Sequence, residues 1–159
     1  TMRKHNMIIA LILFLILGGG IIFYIFYDTS PYKKTEVILN GNIITVDIAD
    51  TIAKLEKGLS GREPLLQNEG MIFLFPYKGK HIFWMKDMKF PIDFVWIKDN
   101  RVLGFIENAD PQIGVSDFGL KTYFPPEPIN TVLELKAGSV KNFRIQAGDI
   151  VTILTNTKL

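Results

Sequence analysis

Residues 37–46 read VILNGNIITV and place Asn40-Gly41 between two runs rich in β-branched residues. Asn-Gly is the strongest short-range hairpin signal, because both central positions of a type I′ turn require a positive φ that these two residues tolerate. The two runs therefore predict antiparallel strands joined by a tight turn. A second tight turn is predicted at 98–101, KDNR, between two further apolar runs.

The chain beyond the first hairpin predicts one short helix and then only strands. Asp50 can cap a helix through about Lys57, and Gly58 can close it with a positive φ. The stretch 108–128 is rich in proline and glycine and is predicted to be a long loop that supplies no strand ladder. Strands are expected at 70–75, 81–86, 92–98, 101–107, 130–136, 140–145 and 149–155. The fold class predicted is all-β, either a β-sandwich or a partly closed barrel of about 8–9 short strands with one short helix.

Length and composition exclude several classes of protein. The chain has 159 residues, of which 48% are hydrophobic and 21% charged, as expected for one globular domain rather than a disordered chain. It contains no cysteine, which excludes a disulfide scaffold, a zinc-thiolate site, an iron–sulfur cluster and a cysteine nucleophile.

The balance of charge argues against nucleic acid as a partner. The chain has 18 Lys and Arg against 16 Asp and Glu, and Arg3 and Lys4 precede the first hydrophobic run. Without these two, 16 basic residues face 16 acidic ones, so the rest of the chain is neutral. A neutral surface attracts a polyphosphate poorly, and no nucleic acid partner is predicted.

Residues 7–27 contain no charged side chain and predict a transmembrane helix. A helix of this length covers roughly 30 Å, the thickness of a bilayer's hydrocarbon core. A cleaved signal peptide is the alternative, but the run is longer than usual and ends in a poor cleavage site. We expect a short cytoplasmic tail at 1–6, the transmembrane helix at 7–27, a linker at 28–35 and a β-rich soluble domain at 36–159.

Flanking charges give an expected orientation for this helix. Arg3 and Lys4 favour a cytoplasmic N-terminus, whereas Lys33 and Lys34 after the run partly oppose it. The predicted location is therefore a single-pass protein of a cytoplasmic-type membrane, with the β-domain outside, in the periplasm or extracellular space. The lipid bilayer is then the first predicted partner, and a membrane protein or small ligand is the second.

The region 46–155 carries a series of motifs with a characteristic order. The residues of these motifs are Gly58, Leu59, Arg62, Glu69, Gly70, Met71, Phe83, Trp84, Met85, Lys86, Pro91, Ile92, Asp93, Val132 to Leu135, Ala137, Gly138, Gly148 and Asp149. In these motifs the chain resembles the domain of unknown function 192 family. It departs from the family pattern at Asp87-Met88, where members usually look like Asn-Thr. The resemblance implies a compact β-rich domain, often secreted or membrane-anchored, and implies no activity.

Asp93 is an unusual carboxylate because it lies inside the apolar run 92–97, IDFVWI. Alternation places it on one face with Val95 and Ile97. A buried charge needs a partner, so Arg62, a lysine or backbone donors are expected beside it, unless it stays protonated. Two interpretations remain open: a structural pair with Arg62, or a general acid or base with a shifted pKa.

Two further constellations suggest chemistry. Glu69 and Asp93 are candidate catalytic residues of a carboxylate-dependent hydrolase acting on envelope material, if the fold brings them within about 5–10 Å. His81, Met85 and Met88 are candidate ligands of Cu(I), which prefers imidazole and thioether donors. Copper is the alternative cofactor, and otherwise no cofactor is predicted.

The remaining signals favour binding over catalysis. Several aromatic side chains fall within 83–96 and favour a core, although they could also form the floor of a ligand site. Lys78, Lys80, Lys86 and Lys89 are expected to form a solvated face. These signals favour a binding or accessory module for a protein partner or small ligand over an enzyme. The candidate ligand-binding residues are Arg62, Glu69, Gly70, Trp84, Met85 and Asp93.

Overall fold

The computed structural model of the chain describes residues 9–14, 21–26 and 30–154. The strands are β1 (Ile9–Phe14), β2 (Ile21–Phe26), β3 (Lys34–Leu39), β4 (Asn42–Ala49), β5 (Glu69–Gly79), β6 (Phe83–Trp84), β7 (Ile92–Lys98), β8 (Arg101–Ala109), β9 (Thr122–Tyr123), β10 (Ile129–Lys136) and β11 (Val151–Leu154). The helices are α1 (Ile52–Lys57) and α2 (Ser139–Asn142), and one 3₁₀ turn covers Asp117–Gly119. The predicted mostly-β domain with a short helix is confirmed.

Seven strands form one sheet in the order β11–β3–β4–β5–β10–β7–β8. All neighbours are antiparallel except β4 and β5, which are parallel and are connected through α1. The two edges meet: Arg101 in β8 bridges Ile150, and the Val102 amide donates to the Asp149 carbonyl at 2.9 Å. The sheet therefore curves into a partly closed barrel.

Alternation along the strands gives the sheet two apolar faces. The inner face is one cluster that includes Val102 of β8 and Val151 of β11, so side chains from both edges meet across the barrel. The outer face is a second cluster built on Met71, Phe73 and Trp96. Loop residues and the small β6–β9 ladder cover this outer face.

Both tight turns are where the sequence predicts them. Asn40 and Gly41 have φ of 49° and 74°, and Asp99 and Asn100 have φ of 51° and 63°. Two successive positive φ values are the type I′ geometry that matches the twist of the flanking strands. Gly58 also has the expected positive φ, of 49°, after α1.

Three local predictions are wrong. The cap of α1 is Thr51 rather than Asp50, since the Thr51 hydroxyl accepts from the Lys54 amide. Part of the strand expected at 140–145 is instead α2. Gly138 turns the chain with φ 85°, and the Val140 amide donates to the Asp93 carboxylate. The loop 108–128 does supply a ladder, since β9 pairs with β6.

The apolar N-terminal segment differs from the helix predicted over 7–27. β1 and β2 form an antiparallel pair in which Ile9 lies opposite Phe26, and residues 7, 8, 15–20 and 27 lie outside the described part. Strand 21–26, IIFYIF, consists only of β-branched and aromatic residues, which favour extended backbone. Among the described residues, every helix is too short or too polar to cross a bilayer.

Gly70 has a structural role that the sequence did not reveal. A Cβ at this position would lie 2.6 Å from the Glu134 carbonyl oxygen, because β5 and β10 approach closely there. We expect Gly70→Ala to lower the free energy of unfolding by about 1–3 kcal/mol, as overpacking does elsewhere. Gly104→Ala in β8 is the matched control, since no atom lies within 4 Å of its added Cβ. Equal denaturation midpoints for the two variants would contradict this account.

Candidate functional site

A pocket of about 250 Å³ opens on the outer face of the sheet, beside α1 and β6. Its walls are mostly apolar, and two carboxyl groups line it, that of the buried Glu134 and that of the exposed Glu56. The lining residues used below are Gly58, Ser60, Phe73, Phe75, His81, Phe83, Trp84, Met88 and Glu134. Such a concave, mostly apolar cavity with few polar groups is typical of a small-molecule site.

Glu134 belongs to β10, where its neighbours Leu133 and Leu135 point into the barrel. Its own side chain therefore faces outward, in one row with Met71 on β5 and Phe94 on β7. The residue is only 5% exposed. Burial raises the pKa of the Glu134 carboxyl to about 8, although the positive charge of Arg62 opposes this shift. Within residues 30–154, no hydrogen bond reaches this carboxyl, and its raised pKa favours the protonated form at neutral pH.

Aromatic rings form the walls around Glu134. Phe83 meets Phe73 edge-on, with ring centroids 5.2 Å apart, and meets Phe75 edge-on at 6.2 Å. Trp84 is 46% exposed at the rim of the pocket. Phe83 is therefore part of the predicted aromatic core, and it also lines the pocket.

The loop after α1 is fixed to the β6 side of the pocket by main-chain contacts. The Gly61 amide donates to the Asp87 carbonyl at 2.8 Å, and the Ser60 hydroxyl donates to the Lys86 carbonyl at 2.9 Å. Gly58 packs so tightly that a Cβ there would lie 3.2 Å from the Phe73 ring. Asp87 has φ 56°, a left-handed conformation that aspartate and asparagine adopt more readily than most residues.

Arg62 pairs with Asp47 rather than with Asp93. One Arg62 amino nitrogen lies 2.5 Å from Asp47 Oδ2, Lys34 Nζ lies 3.0 Å from Oδ1, and the guanidinium stacks on Tyr32 at 4.4 Å. Burial raises the pKa of Asp47, but the hydrogen bonds and charges of Arg62 and Lys34 outweigh it and leave this pKa below its usual value. The structural pair expected between Arg62 and Asp93 is therefore wrong.

Asp93 uses backbone donors, one of the partners that its apolar surroundings predicted. Its Oδ1 accepts from the Asn108 amide and its Oδ2 from the Val140 amide, both at 2.8 Å. The residue is 0% exposed and lies on the inner face with Val95, as alternation predicts. Through these two hydrogen bonds, Asp93 holds the bulge of β8 and the start of α2 against β7. Its side chain is not accessible to solvent.

Glu69 and Asp93 are not brought together as a catalytic pair. Gly70 and Asp93 both lie opposite Leu135 in register, so they share one face of the sheet. Glu69, one residue earlier, points to the other face, and its Oε2 accepts from the Leu66 amide at 3.0 Å. The geometry that a two-carboxylate hydrolase needs is absent at these two residues.

The three residues considered for copper have different surroundings. His81 lines the pocket, stacks on Phe75 at 3.6 Å and lies 3.2 Å from the Tyr77 carbonyl oxygen. Met85 and Met88 are both buried in the outer apolar cluster, at 0% and 6% exposure, and Met88 also lines the pocket. Among the described residues, no group of three His, Cys, Asp or Glu side chains could hold a metal ion.

Most lysines around β6 are paired on the surface. Lys78, Lys86 and Lys89 contact Asp99, Asp117 and Glu63 at 2.6–2.7 Å. Such exposed pairs contribute little to stability.

The match of a family model to the chain shows its family. A family model described as an uncharacterised ACR, the domain of unknown function 192, matches residues 6–153. The chain belongs to the domain of unknown function 192 family. No curated protein matches the chain.

Two crystal structures of similar proteins share the fold of this family member. One is a candidate transcription regulator from Sinorhizobium meliloti 1021, with a TM-score of 0.70 and 31% identity over 78% of this chain and 96% of that one. The other is a protein of unknown function from Novosphingobium aromaticivorans DSM 12444, with a TM-score of 0.70 and 28% identity over 79% of this chain and 89% of that one.

Glu134 is the site residue that sequence reasoning missed. Residues 132–135, VLEL, belong to a family motif, and the glutamate stands among apolar residues just as Asp93 does. An acidic residue inside an apolar run is the signal that indicated Asp93, and Glu134 shows the same signal.

Proposed function

We propose that this family member is a binding or accessory module that holds a small, largely apolar ligand in the aromatic pocket. The observation that carries the proposal is Glu134, a buried carboxyl that lines the pocket without a hydrogen-bond partner among the described residues. An unpaired buried polar group lowers the stability of a folded protein. A ligand with one polar group would pair with it, and its apolar body would lie among the rings.

The shape of the pocket supports a small molecule over an extended polymer. Its volume of about 250 Å³ suits a compact molecule, and Phe73, Phe75 and Phe83 supply apolar contact. Trp84, half-exposed at the rim, is placed to cover a bound ligand. Aromatic side chains of this kind contribute large contact areas in binding sites.

The test is the binding of neutral probes, benzyl alcohol and 3,3-dimethylbutan-1-ol, followed by protein NMR. We expect chemical-shift changes centred on the Trp84 indole and the pocket residues, and weaker binding to Trp84→Ala. Ile113→Ala is the matched control, because Ile113 is another exposed apolar side chain and does not line this pocket. Shift changes centred elsewhere, or absence of binding by these two probes and by choline, would overturn the proposal.

The two alternative functions have less support. A carboxylate-dependent hydrolase needs Glu69 and Asp93 to face each other, and they point to opposite faces of the sheet. A copper protein needs His81, Met85 and Met88 to converge, and the His81 ring is instead stacked on Phe75 at 3.6 Å. Transcription regulation, the role given for the Sinorhizobium protein, gains no support from a chain with nearly equal numbers of basic and acidic residues.

We also propose that segment 7–27 holds the domain at a membrane, with the domain outside the cytoplasm. The support is its sequence, 21 residues without a charge behind Arg3 and Lys4. In lipid, a spanning segment must satisfy its own backbone hydrogen bonds, which favours a helix over a two-stranded pair. Resistance to carbonate extraction and protease access only from the outer side are expected. Recovery of the full chain in the soluble fraction would contradict this.

A further inference from the structure

The charges around the pocket favour a cationic ligand group. Glu134 is the buried ionisable group of the pocket, while Glu56 and Lys57 line it as an exposed pair of opposite sign on α1. His81 is the other titratable group on the wall. Arg62 is the cation whose charge acts on Glu134, and it already contacts Asp47 at 2.5 Å. No described side chain therefore supplies a direct positive partner to Glu134.

The rings around Glu134 favour the same kind of group. Phe83 lies at right angles to both Phe73 and Phe75, and Trp84 adds a fourth ring beside them. Aromatic rings attract cations through their quadrupoles, with energies of about 0.5–2 kcal/mol per contact, and rings grouped in this way recognise organic ammonium ions. The Glu134 carboxyl beside several rings gives an ammonium ion both a counter-charge and apolar contacts.

We infer that the pocket is suited to a compact organic ammonium ion, whose nitrogen lies against Glu134 and whose apolar groups lie among Phe73, Phe83 and Trp84. This inference rests on the proposed function, since it assigns a ligand class to the same pocket. The pocket is open to solvent at its rim, so the cation need not lose all of its hydration. This lowers the cost of bringing a charge into the site.

Proton balance gives the inference a specific signature. Glu134 is protonated in the free protein at neutral pH, so binding of a permanent cation releases this proton to the buffer and leaves a carboxylate–ammonium pair. As the pH rises toward about 8, the affinity for the cation should therefore increase about tenfold per pH unit. Above about pH 8 it should stay constant. A neutral ligand that accepts a hydrogen bond from the protonated carboxyl should behave in the opposite way.

The experiment compares choline with 3,3-dimethylbutan-1-ol, its uncharged isostere, by calorimetry between pH 6 and pH 9 in buffers of different ionisation enthalpy. We expect choline to bind with rising affinity and with release of close to one proton near pH 6.5. Glu134→Gln should weaken choline binding and abolish this pH dependence. His81→Gln should keep it, which separates Glu134 from the imidazole as its source.

Each outcome tests either the ammonium inference or the proposed binding function. Binding of the alcohol alone, or binding of choline without proton release, would overturn the ammonium inference and leave the pocket as a site for neutral ligands. Failure of both probes, together with benzyl alcohol, would overturn the proposed function itself.

Discussion

Replacing Asp93 by alanine is expected to lower the free energy of unfolding by about 2–6 kcal/mol. The Asp93 carboxylate accepts the backbone amides of Asn108 and Val140, each at 2.8 Å, in a site with no solvent exposure. Alanine leaves both amides without an acceptor, and each buried unsatisfied group costs about 1–3 kcal/mol. Urea denaturation of the variant and the wild type measures the difference.

Two further variants show whether the two amides are the cause. Asp93→Asn keeps one acceptor oxygen and should cost less than alanine, because only one amide loses its partner. Asp117→Ala removes an exposed carboxylate that contacts Lys86 and should change the midpoint little. If Asp93→Ala unfolds at the same urea concentration as Asp117→Ala, the structural role assigned to Asp93 is wrong.

Stability should fall as the pH rises from about 4.5 to about 8, because of Glu134. Burial raises the pKa of this carboxyl from 4.5 to about 8, so in this window the folded protein holds a proton that the unfolded chain has released. Folding then takes up a proton, and the stabilising contribution is complete below pH 4.5 and is lost by about pH 8. The expected loss is on the order of 5 kcal/mol, at up to about 1.4 kcal/mol per pH unit.

Glu134→Gln isolates this contribution, because glutamine resembles the protonated carboxyl in shape and does not titrate. Relative to the wild type, Glu134→Gln should become more stable as the pH rises from about 4.5 to about 8. Asp47 acts in another range: its lowered pKa means that its contribution is lost only as the pH falls below the usual value of 3.8. Parallel stability curves for wild type and Glu134→Gln would refute the raised pKa.

Features that depend on a few adjacent residues could be predicted from the sequence. The turns at Asn40-Gly41 and Asp99-Asn100 are fixed by local φ preferences, and Gly58 ends α1 for the same reason. The apolar surroundings of Asp93 predicted its burial, because alternation alone places it with Val95. The mostly-β class follows from the number of short apolar runs.

Features that depend on pairing between distant strands could not be predicted. The register places Asp47, Met71 and Glu134 in one row on the outer face, so Arg62 finds Asp47 there and cannot reach the inner face where Asp93 lies. Helix α2 replaces a predicted strand because the Val140 amide is held by Asp93, 47 residues away. The pocket is made by α1, β5, β6 and β10, and no single segment of the sequence shows it.

The titration of Glu134 is the most direct test of the central claim, that an uncharged carboxyl lies in this pocket at neutral pH. The side-chain carboxyl carbons can be followed by ¹³C NMR from pH 3 to pH 10, with the Glu134→Gln variant identifying the resonance. The account predicts a midpoint near 8 for this one glutamate. A midpoint near the ordinary value of 4.5 would contradict it, and with it the assignment of Glu134 as the proton-releasing group.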